Sequence, residues 1–145
     1  MTLPPPAALF AALVAMMALH LLLPGPRWLV QPWTLLGLVP LAGGMALHAW
    51  ASRAFIAAGT TIEPDGRPSS LVRAGPYART RNPMYLAGFP ILLGVALLLG
   101  TAAPFAILIM YAAAAARWVQ REEARLRERF GSEWDDYSGA VRRWL

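Results

Sequence analysis

Between Met84 and Ala116 the chain runs for 33 residues without a charged side chain. As one helix this run would reach about 50 Å at 1.5 Å per residue, against a bilayer hydrocarbon core of about 30 Å. A single tilted span fits poorly. Gly100-Thr-Ala-Ala-Pro104 supplies a break, so the run predicts two short antiparallel helices with a tight connection. Two more apolar stretches precede it: residues 7–23, interrupted by His20, and residues 34–51, which contain Pro40 and the pair Gly43-Gly44. The expectation is an all-α polytopic membrane protein, one domain over residues 1–145. Four spans fall at about 7–23, 34–51, 84–100 and 104–119, with a loop at 53–83 and a helical tail at 120–145. Composition agrees: 57% of residues are hydrophobic and 14% charged, where soluble domains carry about 25% charged residues.

Arginine placement predicts the orientation. Twelve of the 13 arginines lie in Arg53–Arg81 or Arg117–Arg143, and only Arg27 lies between the first two spans. Four spans put both rich segments on one side, and the positive-inside rule makes that side cytoplasmic, with both termini inside. Met1–Ala8 has no positive charge and His20-Leu-Leu-Leu-Pro-Gly-Pro26 has no clear small-residue cleavage site, so residues 7–23 read as a retained span rather than a signal peptide. The expected location is a bacterial inner membrane. The polar stretch before span three and the charged tail after span four then meet at the mouth of one hairpin.

Other classes recede. There is no cysteine and there are two histidines, so no thiolate chemistry and no ordinary zinc site is expected. The net charge of +5 alternates with acids and accompanies no nucleic-acid motif. His20 and His48 lie inside spans, where interhelical hydrogen bonding is a plainer role than catalysis. Ala42, Gly43, Ala46 and Ala49 form a small-residue face suited to helix packing. The tail predicts a continuation of span four with Leu126 and Phe130 on one face and a stop at Gly131. A short amphipathic helix follows, capped by Ser132 and carrying Trp134, Tyr137 and Val141. It would lie on the membrane interface or fold over the hairpin mouth.

Three clusters carry possible chemistry. Ser69-Ser-Leu-Val-Arg-Ala-Gly-Pro-Tyr77 contains turn residues and reads most simply as a loop. Arg81-Asn-Pro-Met-Tyr85 stands at the start of span three, where Pro83 suits the first turn and Asn82 a cap; uncapped N–H groups there suit a carboxylate. Glu122-Glu123 places two repelling carboxylates near a helix C-terminus, where the helix dipole disfavours them. A solvated lattice with Arg117, Arg121, Arg125 and Arg127 explains them alone. Facing Arg81 and Tyr85, they become binders of a cation or of ligand hydroxyl and amino groups.

From Gly59 to Leu145 the residues resemble integral-membrane methyltransferases of the isoprenylcysteine carboxyl methyltransferase and phospholipid methyltransferase superfamily. The resemblance rests on Gly59-Thr-Thr-Ile-Glu-Pro64, Leu71-Val-Arg-Ala-Gly-Pro-Tyr77, Arg81-Asn-Pro-Met-Tyr85, Glu122-Glu-Ala-Arg-Leu126, Phe130-Gly131, and Trp134-Asp-Asp-Tyr137 leading to Val141-Arg-Arg143. It implies S-adenosylmethionine as cofactor. Ser69, Ser70, Leu71 and Val72 would line it, with Tyr77 closing over it. Asn82, Pro83, Met84 and Tyr85 would form a second wall, and Glu122 would meet a polar part. Glu123 would support it or face the acceptor, as base for an amine, with Arg81 opposite.

Two departures bear on the acceptor. Asn82 stands where the isoprenylcysteine enzymes have His, although Asn is common there among bacterial relatives, and Trp118 stands where they place a substrate-binding Arg. Arg117 and Arg121 are the nearest substitutes for binding an acceptor. The partner implied is a lipophilic molecule or lipid: an isoprenylcysteine-type carboxylate, a head-group amine or another small apolar acceptor. A membrane scaffold binding lipid or a partner, and a sterol-reductase-like enzyme, are the rival readings.

Overall fold

The computed structural model describes residues 5–23, 25–59 and 70–145, and its regular structure is helical. Five α-helices follow one another: α1 (Pro5–Leu22), α2 (Leu38–Ala57), α3 (Pro83–Leu99), α4 (Ala103–Phe130) and α5 (Ser132–Ala140). A 3-10 turn, Trp33–Gly37, leads directly into α2, and another, Gly75–Ala78, precedes α3. Trp33–Ala57 and Ala103–Phe130 are long and apolar enough to cross a bilayer, while the apolar helices Pro6–Leu22 and Pro83–Leu99 are shorter. Outward faces are apolar too. Phe10, Val14, Met17 and Leu21 make an exposed stripe along α1, and Val39 and Ile56 of α2 and Ile109 of α4 are each more than 70% exposed. Helices apolar on their outer faces as well as their inner ones suit a lipid environment.

The expected break in the 33-residue run is where the chain turns. Gly100 caps α3 with φ 68°, a left-handed conformation that favours glycine. A Cβ there would also collide with the Leu29 carbonyl. Trp28 and Leu29 N–H groups both donate to the Gly100 carbonyl, at 3.1 and 3.3 Å, tying the α1–α2 connection to the α3–α4 turn. His20 is bonded here through Nδ1 to Thr101 Oγ1 at 2.9 Å, the interhelical role expected of it.

Helix α3 is central. It packs against α1, α2 and α4, and its buried residues run from Pro83 to Ala96. The first core joins Leu9 and Met16 of α1 to Tyr85, Leu92 and Ala96 of α3 and to Tyr111, Ala115 and Val119 of α4. A second joins Ala51 of α2 to Val72, Tyr77 and Met84.

Several boundaries and roles differ from expectation. The helix expected at 34–51 continues to Ala57, into the expected loop, because no breaker follows Ala51. That expected at 104–119 runs on to Phe130, as the tail periodicity indicated. The small-residue face of α2 is turned the other way: Ala42, Gly43, Ala46 and Ala49 are exposed, while Gly44 is buried against Ala87 and Ile91 of α3. Ser132 opens α5 without capping it, Gly131 taking that position. His48 Nδ1 is buried with no hydrogen-bond partner among the described residues.

Candidate functional site

Pro83 starts α3 and the left-handed Gly100 ends it, so the Arg81–Tyr85 segment sits at one end of the hairpin, where α4 returns. One observation organises this end: Asn82 Nδ2 donates to Glu123 Oε1 at 3.3 Å, and Tyr85 OH donates to Glu122 Oε2 at 3.1 Å. Residues about forty positions apart in sequence thus share one site.

The adjacent acids occupy different surroundings. Glu123 is buried, with a side chain 10% exposed, and lies between two guanidinium groups. Arg143 approaches its Oε2 with Nη2 at 2.8 Å and donates from Nε at 3.0 Å. Arg81 Nε lies 3.3 Å from Oε1, a charge contact outside hydrogen-bond geometry. With the Asn82 amide, both oxygens of Glu123 are engaged. Glu122 is partly exposed and has the Tyr85 phenol as its hydrogen-bond partner. Burial pushes its carboxyl above the usual range; Tyr85 and Arg125 act against that, and Glu123 adds to it. The Tyr77 phenol is pushed up first by burial and then by Glu122 and Tyr137, so Tyr77 belongs to the same electrostatic environment.

The cap expected of Asn82 is half present. It holds the N-cap position, but its side chain makes no cap bond and instead reaches Glu123 and the Arg143 carbonyl, the latter at 3.1 Å. The start of α3 therefore keeps N–H groups without a side-chain acceptor.

Residues 141–145 fold across this end. The Arg81 N–H donates to the Arg142 carbonyl at 3.0 Å, Thr80 Oγ1 donates to the Arg143 carbonyl at 3.2 Å, and Trp144 packs edge-on to Phe89. Helix α5 covers the neighbouring loop: Tyr137 OH donates to the Tyr77 carbonyl at 2.8 Å, and Arg81 lies 5.6 Å above the Trp134 ring. The Tyr137 phenol is pushed up to about 12 by burial, with Glu123 adding and Arg81 and Arg73 opposing. Arg143 and Thr80 went unrecognised as site residues. A basic pair after a short amphipathic helix reads as solvated, and nothing local shows that its backbone turns back to Asn82.

The remaining expected residues divide. Pro83 and Met84 are buried beside Tyr85 at the start of α3. Val72, Tyr77 and Met84 pack together against Ala51, which makes Val72 and Met84 core residues as well as neighbours of the site. Leu71 is half-buried, and Ser70 is exposed, its Oγ donating to the Ala58 carbonyl at 3.5 Å. Ser69 lies outside the described residues. Arg117 and Arg121 are exposed on α4 and do not join the Glu123 cluster, while Trp118 packs into the core. Among the described residues no group of His, Asp and Glu is arranged to hold a metal ion.

No curated protein and no solved structure matches the chain. A family model does: that of the phospholipid methyltransferases matches residues 33–133, which include α2, α3, α4 and both members of the Asn82–Glu123 pair. The match covers more than two thirds of the 145 residues, and the chain belongs to the phospholipid methyltransferase family.

Proposed function

We propose that the protein transfers a methyl group from S-adenosylmethionine to a lipophilic acceptor held in the membrane, at the end of the hairpin where Asn82 and Tyr85 meet Glu123 and Glu122. That meeting, in a chain of this family, carries the reading. All four helices α1–α4 cross the bilayer in this proposal, with the site, α5 and both termini on the cytoplasmic side of a bacterial inner membrane. The arginine distribution supports that orientation.

The residues present fit the cofactor. Glu122 accepts the Tyr85 hydroxyl through Oε2 and its carboxyl is raised by burial, so it would gain from amino or hydroxyl donors. The uncapped start of α3 suits a carboxylate. Tyr85 holds Glu122 and Tyr77 shares its electrostatic environment, and Ser69, Ser70, Leu71 and Val72 would complete the wall. When bound, S-adenosylmethionine supplies an electrophilic sulfonium methyl, which passes to a nucleophile as the carbon–sulfur bond breaks.

The chain aligns and shields more than it activates, since displacement needs the reacting atoms about 3–3.5 Å apart in a dry site. Glu123, gripped by Arg81, Arg143 and Asn82, holds α3, α4 and residues 141–145 together. Its engaged oxygens make it a poor base, so for an amine acceptor the proton would pass to Glu122, whose proton affinity burial raises. A carboxylate acceptor needs no base. Arg117 and Arg121, exposed on the turns of α4 leading to the acid pair, are the cations placed to meet it.

Detergent-purified protein is expected to bind S-adenosylhomocysteine and not NADPH. Tyr85→Ala and Glu122→Ala should each weaken that binding roughly tenfold, the loss of one charge-assisted hydrogen bond, while expression persists. Unchanged affinity in both variants removes the site. NADPH binding would favour a reductase, and binding of neither a scaffold. Labelled cofactor incubated with host lipid extract would then identify the acceptor.

A further inference from the structure

The Gly100 end of the molecule, 17 residues of α3 away from Asn82 and therefore about 25 Å distant, has a recess of its own. His20, Arg27, Gln31 and Thr34 supply its polar wall, and Leu98 and Leu99 an apolar one, around about 300 Å3. Arg27 is the only charged side chain in the first 52 residues, and none lies between Asn82 and Ala116. All eight acids lie at residue 63 or beyond, six of them from Glu122 onward. Among the described residues Arg27 accordingly has no carboxylate partner. Its surroundings are fastened: an isolated bridge pairs Arg27 with Thr101, whose hydroxyl is bonded to His20 Nδ1. When that hydroxyl donates, the His20 proton sits on Nε2, a second donor in the same wall. Trp28 and Trp33 beside the recess are 54% and 61% exposed, the placement of aromatic side chains at a head-group boundary.

We propose that this recess binds a phosphate ester, presented by an anionic phospholipid whose chains lie along Leu98 and Leu99, on the membrane face opposite the proposed methyl-transfer site. A guanidinium with no counter-ion among the described residues, a histidine, an amide and a hydroxyl form a donor set for phosphate oxygens. The adjoining leucines give the lipid form of that ligand an advantage over the free ion. Such a lipid would brace the α1–α2 connection against the α3–α4 turn. The proposal requires the helices to lie in a bilayer but does not depend on methyl transfer.

The test is native mass spectrometry of the full chain in non-ionic detergent with dioctanoyl phosphatidylglycerol, which has no amine to methylate. Wild type is expected to retain one such lipid at this site, and Arg27→Gln and Gln31→Ala to weaken its retention, the former roughly tenfold. Arg53→Gln, at the other end of α2, should not. Unchanged melting temperatures of the variants show that the fold is intact. Competition by millimolar inorganic phosphate would assign the site to free phosphate, and its absence to the lipid. Equal retention by wild type and Arg27→Gln, or equal retention of dioctanoylglycerol, which lacks phosphate, overturns the proposal. Because retention rather than turnover is read, failure here leaves the methyl-transfer reading standing, and the reverse holds too.

Discussion

Glu122 and Glu123 follow one another on α4, where successive side chains point about 100° apart, and the rotation separates their roles. Glu123 turns into the Arg81–Arg143 pair and Glu122 toward Tyr85. Removing Glu123 would leave Arg81, whose side chain is 12% exposed, without its counter-ion. Glu123→Ala is therefore expected to cost about 3 kcal/mol in thermal or denaturant unfolding, the scale for breaking a buried pair. Glu122 should behave in the opposite sense. It lies beyond the apolar stretch of α4, and burial raises its folded-state pKa above the unfolded value near 4.5. The cost of its ionised form is present above the raised pKa and vanishes below the ordinary carboxylate range. Its contribution to stability thus improves as pH falls through that window. Glu122→Gln is expected to raise the melting temperature at neutral pH, flatten that part of the pH profile and weaken S-adenosylhomocysteine binding. In sequence the two acids are equivalent; Arg143, twenty positions away, makes them different.

At the level of elements, α3 depends on close approach to α2. A Cβ on Gly44 would stand 2.8 Å from both the Ala87 carbonyl oxygen and the Ile91 nitrogen, backbone atoms that cannot swing away. Gly43 meets nothing within 4 Å. Gly44→Ala is expected to cost about 1–3 kcal/mol by overpacking, while Gly43→Ala should be neutral or stabilise by up to about 1 kcal/mol through helix propensity. Paired melting curves check both. The sequence puts Gly43, not Gly44, on a small-residue face suited to packing, but which glycine faces α3 depends on helix rotation. With apolar side chains all round α2, hydrophobic periodicity offers no guide to that rotation. Helix α4 was more legible: its apolar half, its charged half and Gly131 mark its course to Phe130.

At the scale of the whole molecule, the methyl-transfer reading requires the loop before α3 and the tail after α4 to lie on one side of the bilayer. The chain lacks cysteine, so single-cysteine variants give an uncluttered readout. Ser70→Cys and Arg127→Cys should react with an impermeant maleimide from the cytoplasmic side, and Val30→Cys from the other. Labelling of the first two from opposite sides would dissolve the site.

The sequence alone determined the helical class, the turn at Gly100-Thr-Ala-Ala-Pro104, the extended tail and the family resemblance. Each is written in local composition, spacing or motif order. The polar residues flanking the hairpin were also legible, since two antiparallel helices return the chain to the same end. Only the tertiary structure decided which acid lies between two arginines and which meets Tyr85, that Asn82 serves Glu123 rather than a cap, and that residues 141–145 close over the site. Those outcomes depend on helix rotation and on backbone carbonyls brought together by packing, which no short stretch of sequence encodes.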